Sequence, residues 1–296
     1  DMLGLYQRLA ELPTRWLGNF DSPPDSTEVR TYIDAGLKFL ENKPISRERI
    51  IFLNDLAFWY TQQLETATNA EKKTALAEQA LASGQEALRQ AEVLNDASVL
   101  SIALDALGFI YEVNHKYNEF HAIEHRRQKL EEQLTGREEL YDLYYSLGWA
   151  NERVCDYPMA LMWLGRAWSN AQTMESPTML LNNMVSRMRV WRQWNRWKEA
   201  REVAFEILKL IEQYQVDEKR QFWALETLAT IAYRMGNQEE GDMYTRQCKR
   251  LVDQQIERSP AEARALLETR MHAIHLARED WTRATADYRE KQRSSE

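Results

Sequence analysis

The sequence is poor in the residues and runs that define several protein classes. Glycine and proline number only 10 and 7 in 296 residues, which excludes collagen-like and other low-complexity chains. No apolar run approaches the roughly 18 residues of a membrane-spanning helix. The two cysteines, Cys155 and Cys248, form no metal-ligand motif. They exclude a disulfide-stabilised secreted scaffold and predict a reducing compartment, the cytoplasm.

The chain also lacks an excess of positive charge. Lys and Arg number 38 against 46 Asp and Glu, which gives a formal net charge of −8. This acidic balance argues against general nucleic-acid binding and against docking on an anionic membrane. Hydrophobic residues make up 44% of the chain, enough for a sizeable core. Because the chain begins at Asp1 rather than Met, we expect an upstream segment in the full protein.

What the sequence does contain favours helices throughout. Ala, Leu, Glu, Gln and Arg are abundant, and all of them favour the α-helix. No stretch alternates β-branched and polar residues as a half-buried strand would. The chain is therefore predicted to be all-α.

A repeat of about forty residues runs through most of the chain. Equivalent sites, spaced by 40, 40, 41 and 43 residues, are usually bulky and are followed three positions later by a small residue. An amphipathic helical pattern precedes the first four sites. The sites are Tyr117, Tyr157, Trp197, Gln238 and Trp281. Each repeat is thus predicted to be two antiparallel helices, joined by turns at 115–117, 155–157, 195–197, 236–238 and 279–281.

Residues at these turns have the properties that helix ends require. Asp156, Asn237 and Asp280 occupy the expected N-cap of the second helix. Pro158 falls in the first turn of a helix, where a missing N–H is harmless. Gly236 can take a left-handed backbone conformation. These positions fix where the second helices begin.

One repeat resembles a known family closely. Its pattern is Leu147-Gly148, Tyr157, Ala160, Leu164 and Ala167. These residues resemble the tetratricopeptide repeat (TPR), and Leu107-Gly108, Tyr111 and Tyr117 match half of the same pattern. A period near 40 is similar to the longer-helix variety in bacterial regulators such as MalT-like sensor regions. The resemblance implies a right-handed superhelical solenoid of antiparallel helix pairs, and it covers roughly residues 46–292.

This pattern gives a domain organisation. Residues 1–45 are expected to form an N-terminal helical cap, and 293–296 a tail. The TPR-like repeats between them are predicted at 46–95, 98–135, 138–175, 178–216, 219–257 and 260–292. The first repeat is about eleven residues longer than the others, and we expect the extra residues in a long turn at Glu65–Lys73.

Signatures of catalysis are scarce. There is no P-loop, dinucleotide-binding loop or nucleophile elbow. One string, H-x-x-E-H at His121, Glu124 and His125, is the inverted zincin motif. It leaves a zinc metalloprotease open as a minor alternative, but no third ligand stands out, and we favour ordinary surface histidines. The sequence thus predicts no enzymatic activity, no metal and no cofactor.

Basic and aromatic residues also mingle between Arg187 and Arg201, where Trp191, Trp194 and Trp197 alternate with arginines. Such a cluster can bind single-stranded nucleic acid by charge and stacking. It can equally bind an acidic partner or form a solvated helical surface. Because the chain is acidic, we consider nucleic acid the weakest of these readings.

The first helices of stacked hairpins line an inner groove, so their non-core positions predict a binding surface. Phe58, Phe109 and Trp149 place three aromatics in one such column, either as binding anchors or as packing against a neighbouring helix. Acidic residues come early along the groove and basic ones late, which would orient an extended peptide. The candidate groove residues are Phe58, Asp105, Phe109, Glu112, Asp142, Tyr145, Trp149, Glu152, Arg189, Arg192, Trp223, Tyr233 and Arg234.

Together these features predict a non-enzymatic TPR-like interaction or sensor domain of a bacterial regulatory protein. It would bind a peptide, a protein segment or a small inducer in its groove, and the segment could come from the same polypeptide. The alternative is a self-contained peptide-sensing regulator, or a scaffold that restrains an attached catalytic domain.

Overall fold

The computed structural model describes residues 26–214 and 218–256, together with the single positions Ile274, Arg278, Glu279 and Thr282. All regular structure in these residues is helical, which confirms the all-α prediction. The helices are α1 Ser26–Leu40, α2 Arg47–Thr66, α3 Ala70–Leu94, α4 Ala97–Val113, α5 Tyr117–Gln128, α6 Arg137–Arg153, α7 Tyr157–Thr173, α8 Pro177–Gln193, α9 Trp197–Tyr214, α10 Glu218–Arg234 and α11 Gln238–Ile256, with a short 3-10 helix at Glu131–Gln133.

The chain divides into two compact units, one ending at Met174 and the other beginning at Glu175. In the first unit the pairs α2–α3, α4–α5 and α6–α7 pack closely, and the first helices α2, α4 and α6 also contact one another in that order. In the second unit α8–α9 and α10–α11 form such pairs, and α8 contacts α10. Most of the sixth predicted repeat and both chain ends lie outside the described residues, so the predicted domain limits stay predictions.

Four of the five predicted turns are found where the repeat placed them, and these four share one geometry; the fifth, at 279–281, stays a prediction because only Glu279 of it is described. In each, a residue with positive φ ends the first helix, and the next N–H donates to the carbonyl oxygen five residues earlier. This is the Schellman closure of a helix C-terminus. The left-handed residues are His115, Cys155, Asn195 and Gly236, with φ of 57°, 62°, 59° and 78°. The closing bonds are Lys116 to Tyr111, Asp156 to Asn151, Arg196 to Trp191 and Asn237 to Ala232, at 2.8–2.9 Å.

Two predicted N-caps are confirmed. The Met159 N–H donates to Asp156 Oδ1 at 3.2 Å, and the Glu240 N–H donates to Asn237 Oδ1 at 3.2 Å. The Asn237 amide in turn donates to Glu240 Oε2 at 2.9 Å. Asp280, the third predicted cap, lies outside the described residues.

Small residues bring the paired helices close together. A Cβ added at Gly148 would lie 2.7 Å from Leu164 Cγ and 3.3 Å from the Ala160 carbonyl oxygen, both on α7. A Cβ at Gly108 would lie 2.7 Å from Glu124 Oε1 on α5. Helix α6 can approach α7, and α4 can approach α5, only because these two positions are glycines.

The long turn predicted at Glu65–Lys73 is wrong. Helix α2 continues through Thr66 and α3 begins at Ala70, so only three residues connect them. Asn69 caps α3 by accepting the Glu71 N–H at 2.8 Å. The extra residues of this repeat extend its helices to 20 and 25 residues, because the Glu, Lys and Ala on both sides are good helix formers.

Within the described residues, no helix combines the length and the apolarity needed to cross a lipid bilayer.

Candidate functional site

A cleft of about 1270 Å³ lies in the first unit, between α2, α3, α4, α5 and α6. Its lining includes seven of the eight groove residues predicted for this unit. They are Phe58, Asp105, Phe109, Glu112, Asp142, Tyr145 and Trp149. These residues lie beside the buried stripe of α2, α4 and α6, and their shared position on the three helices brings them together on the surface of the cleft.

Aromatic rings form pairs in this cleft. Phe58 and Phe109 have ring centroids 5.0 Å apart, and Tyr145 meets Trp149 edge-on at 6.4 Å. All four side chains are half-buried, so the rings pack on one another and still present part of their surface to the cleft. The aromatic column can therefore do both things that the sequence suggested: its rings pack against a neighbouring helix, and they also remain partly exposed to a ligand.

A buried arginine organises the acidic part of the cleft. Arg127, on α5, donates through Nε to Ser101 Oγ at 2.8 Å and through a terminal nitrogen to Asp105 Oδ1 at 2.5 Å. Ser146 Oγ donates to the same Asp105 oxygen at 3.0 Å. Both bonds fall on Oδ1, while the Asp105 side chain is 42% exposed. Asp105 is thus held by one oxygen and faces the cleft.

Glu124 lies behind this arrangement and is fully buried. Its Oε2 is 3.4 Å from the Arg127 guanidinium, whereas Oε1 lies over Gly108 with no hydrogen-bond partner among the described residues. Burial raises the pKa of Glu124 to about 8, against the opposing charge of Arg127. At neutral pH this side chain is therefore mostly protonated.

These contacts contradict the zincin alternative. The Glu124 carboxyl faces the interior beside Gly108 and Arg127, so it cannot act on a metal-bound water. His121 and His125 lie side by side, with their Nε2 atoms 3.1 Å apart. In the part of the chain that the structure describes, no group of three His, Cys, Asp or Glu side chains could hold a metal ion.

Asp142 stands on the open wall of the cleft. Its side chain is exposed, and no described residue donates a hydrogen bond to it. The protein around the cleft removes part of its solvation, and together with the negative charge of Asp105 this raises the pKa of Asp142 to about 7.

Two other predicted acidic residues are less accessible to a ligand. Glu112 lines the cleft, but its carboxylate pairs with Arg153, whose guanidinium also lies 5.6 Å from the Trp149 ring centre. Glu152 is buried and is not part of the cleft lining, so its prediction as a groove residue is wrong. It lies four residues after Gly148, on the face of α6 that packs into the protein.

Sequence reasoning missed several residues of the cleft. Lys73, Thr74 and Ala77 come from α3, a second helix, and only first helices were considered. Arg153 follows Trp149 by one helical turn, which is a signal that could have identified it.

The second unit has a smaller pocket of about 360 Å³ between α8 and α10. Three predicted groove residues, Arg189, Arg192 and Trp223, line it with apolar neighbours. Arg192 donates to both Glu226 carboxylate oxygens, at 3.0 and 2.8 Å. Its charge is therefore neutralised inside the pocket, contrary to the predicted basic end of a groove.

Tyr233 and Arg234 do not line this pocket. Tyr233 is fully buried, and its hydroxyl donates to Asp242 Oδ1 at 2.7 Å, so its prediction as a groove residue is wrong. The ring packs where Gly241 has no side chain. Arg234 instead places its guanidinium 4.6 Å from the Trp197 ring centre.

The tryptophans of the basic cluster are engaged by their own arginines. Trp191 and Trp194 stack with ring centres 5.6 Å apart, and Arg196 lies 5.7 and 5.6 Å from the two rings. Arg196 also pairs with Glu199. A nucleic-acid base would have to displace these contacts, which argues further against nucleic-acid binding.

No model of a known protein family matches the chain, and no curated protein matches it in sequence. Solved structures resemble it in fold. BtubC (BKLC) from P. vanneervenii is 11% identical over 84% of this chain and 89% of its own, with a TM-score of 0.57. A Rap protein complexed with competence and sporulation factor is 11% identical over 95% of this chain and 76% of its own, with a TM-score of 0.58.

A third similar structure is a signal transduction ATPase with numerous domains (STAND), which has a tetratricopeptide repeat sensor and comes from Pyrococcus horikoshii. It is 12% identical over 90% of this chain and 39% of its own, with a TM-score of 0.59. At such identities the likeness shows the fold alone. The chain has the fold of TPR-like helical repeat proteins.

Proposed function

We propose that this chain is a non-enzymatic interaction domain that binds an extended peptide or protein segment in the cleft of its first unit. The observation that carries the proposal is the cleft itself, which combines half-buried aromatic rings with solvent-facing carboxylates on successive first helices. Its volume of about 1270 Å³ exceeds the range of roughly 300–1,000 Å³ typical of small-molecule sites. A peptide segment therefore fits it better than a small inducer.

The aromatic residues supply the anchors. A partly exposed ring that is already held by a neighbouring ring loses little conformational entropy when a ligand covers it. Aromatic side chains accordingly dominate the binding energy of many protein interfaces. Trp149, which contacts both the Tyr145 ring and the Arg153 guanidinium, is an anchor of this kind in the cleft.

The finer role we propose is that of a sensor domain in a bacterial regulatory protein of the cytoplasm, with a segment of the same polypeptide as one possible ligand. Both cysteines are free thiols, which fits a reducing compartment. The alternative is a self-contained peptide-sensing regulator, or a scaffold that restrains an attached catalytic domain. A Rap protein in complex with a sporulation factor and a STAND protein with a repeat sensor share the fold and support both forms of the proposal. The MalT-like subtype stays a prediction.

The test is selection from a phage-displayed library of random dodecapeptides, followed by calorimetry with the selected peptide. Trp149→Ala should weaken binding by about 2 kcal/mol, roughly thirtyfold, as for an aromatic anchor. Phe39→Ala is the matched control, because Phe39 is an exposed aromatic of the same unit outside the cleft. Equal losses of affinity in the two variants would contradict the proposal. So would a Trp149→Ala variant that is mostly unfolded but whose remaining folded molecules still bind the peptide.

A further inference from the structure

Acidic groups outnumber basic ones around the Asp142 side of the first-unit cleft. The charges that act on the Asp142 carboxyl are those of Asp105 on α4, Arg127 on α5, and Glu138 and Glu139 on α6 itself. Arg127 is the one cation among them, and it is already paired with Asp105. Asp142 therefore has no counter-ion of its own among these groups.

The other cations of the cleft do not compensate for this. Arg153 is paired with Glu112. Lys73 lines the cleft from α3, and its side chain is exposed. Among the described residues, neither of the two forms an ion pair with Asp142. A ligand that brings a positive charge to this wall would gain an attraction that the protein does not supply itself.

Each of the two exposed acids has an aromatic partner one helical turn away. Phe109 follows Asp105 by four residues on α4, and Tyr145 follows Asp142 by three on α6. Residues at these spacings share a helix face, and all four line the cleft. The wall thus offers carboxylates beside ring surfaces, the combination that suits the apolar stem and charged tip of a lysine or arginine.

We propose, resting on the peptide-binding role above, that the wall formed by Asp105, Phe109, Asp142 and Tyr145 receives a lysine or arginine side chain of the bound segment. Its charged group contacts the Asp142 carboxylate and the exposed side of Asp105. The specificity of the cleft is therefore for a basic residue within an otherwise apolar extended segment.

A cation beside Asp142 should also make binding depend on pH. Because the pKa of Asp142 is raised to about 7, part of this carboxyl population carries a proton at neutral pH. A neighbouring cation favours the ionised form, so binding at pH 7 should release a fraction of a proton. A lysine ligand keeps its own charge over this range because its pKa is about 10.4. Affinity should therefore rise with pH, by about three- to tenfold between pH 6 and pH 8, allowing for the exposure of Asp142.

The test uses three libraries of N-acetylated, C-amidated hexapeptides in which one position is fixed as Lys, norleucine or Glu and the others vary. Affinity selection on the whole protein, read by mass spectrometry, should enrich Lys peptides at least about tenfold over norleucine peptides. The selected Lys peptide is then titrated by calorimetry at pH 6, 7 and 8. Titrations at pH 7 in phosphate and in Tris report proton release, because the two buffers have different ionisation enthalpies.

Asp142→Asn is the informative variant, since Asp142 makes no hydrogen bond to a described residue and its replacement should leave the fold intact. It should lower affinity for the Lys peptide about tenfold and remove most of the pH dependence and the proton release. Glu119→Gln is the control, because it removes the same charge from an exposed position of α5 outside the cleft. It should change affinity less than about twofold.

Three outcomes separate this inference from the proposed function. Lys enrichment that depends on Asp142 supports both. Norleucine or Glu peptides that bind as well as Lys peptides, with affinity that depends on Trp149 but not on Asp142, would overturn the inference and leave peptide binding in place. If no library yields a peptide whose binding depends on Trp149, both fail.

Discussion

The two units present different kinds of concave surface, although both are built from the same helix pair. The first-unit cleft has a volume of about 1270 Å³, and its Asp142 lacks a counter-ion. The second-unit pocket is about 360 Å³ and contains an arginine bonded to both oxygens of a glutamate. The unpaired carboxyl of the first unit and the neutralised arginine of the second are the reason for proposing a charged ligand in the first-unit cleft and not in the second-unit pocket.

The largest effect should come from the buried arginine of the first unit. Arg127→Met leaves Asp105 without its cation and leaves Ser101 and Glu124 without their buried hydrogen-bond donor, and it should lower the free energy of unfolding by about 3–5 kcal/mol. Arg192→Met in the second unit, where the pair is partly exposed, should cost about 1–2 kcal/mol. Urea titration of each variant measures both values. Arg126→Met, at an exposed neighbouring pair, is the control and should cost less than about 1 kcal/mol. Equal losses for Arg127 and Arg192 would remove the contrast between the units.

Close packing of the helix pairs in the first unit predicts the next largest effect. Gly148→Ala places a Cβ 2.7 Å from Leu164 Cγ and should destabilise the protein by about 1–3 kcal/mol. Gly165→Ala on α7 meets open space and should stabilise it by about 0.5–1 kcal/mol, since alanine favours the helix. Thermal unfolding compares the two. The same sign for both variants would show that the approach of α6 to α7 is not limited by this glycine.

The buried acid predicts a pH dependence of stability. Because the folded-state pKa of Glu124 is raised to about 8, the folded protein holds a proton that the unfolded chain releases above about pH 4.5. Stability should fall as the pH rises from 5 to 8, by up to about 1 kcal/mol per pH unit. Glu124→Gln keeps a neutral group of the same shape and should flatten this slope. Urea titrations at pH 5.5, 6.5 and 7.5 measure it, and an unchanged slope in the variant would assign the effect to other groups.

The smallest effect concerns the turn that both units share. Cys155 adopts the left-handed conformation without being glycine, so Cys155→Gly should stabilise the protein by about 0.5–1 kcal/mol. The converse change in the second unit, Gly236→Ala, should destabilise it by a similar amount. Differential scanning calorimetry resolves shifts of this size. If Cys155→Gly destabilised the protein and Gly236→Ala stabilised it, side-chain contacts rather than backbone conformation would determine the stability of these turns.

The fold was predictable from the sequence because its determinants are local. The forty-residue period, the caps at Asp156 and Asn237 and the glycine at 236 placed four turns correctly. The error at Glu65–Lys73 has a local cause too, because residues taken for a loop are good helix formers on both sides of Asn69. A long interval between repeats does not distinguish a longer loop from longer helices.

The site was less predictable because it depends on pairs of residues. Helical spacing placed the seven cleft residues of the first unit on one face, which is a matter of register. It could not show that the Tyr233 ring turns inward over Gly241, or that Glu226 neutralises Arg192. Nor could it show that Glu124 points at Gly108, since two residues sixteen positions apart meet only when their helices pack.

The most direct test of the central claim is hydrogen-exchange mass spectrometry of the whole protein with and without the selected Lys-containing hexapeptide. If the first-unit cleft is the binding site, the peptide should slow exchange in α4 and α6, over Asp105–Val113 and Asp142–Arg153, and leave α8 and α10 unchanged. Protection confined to 185–192 and 222–227, around the second-unit pocket, would contradict it.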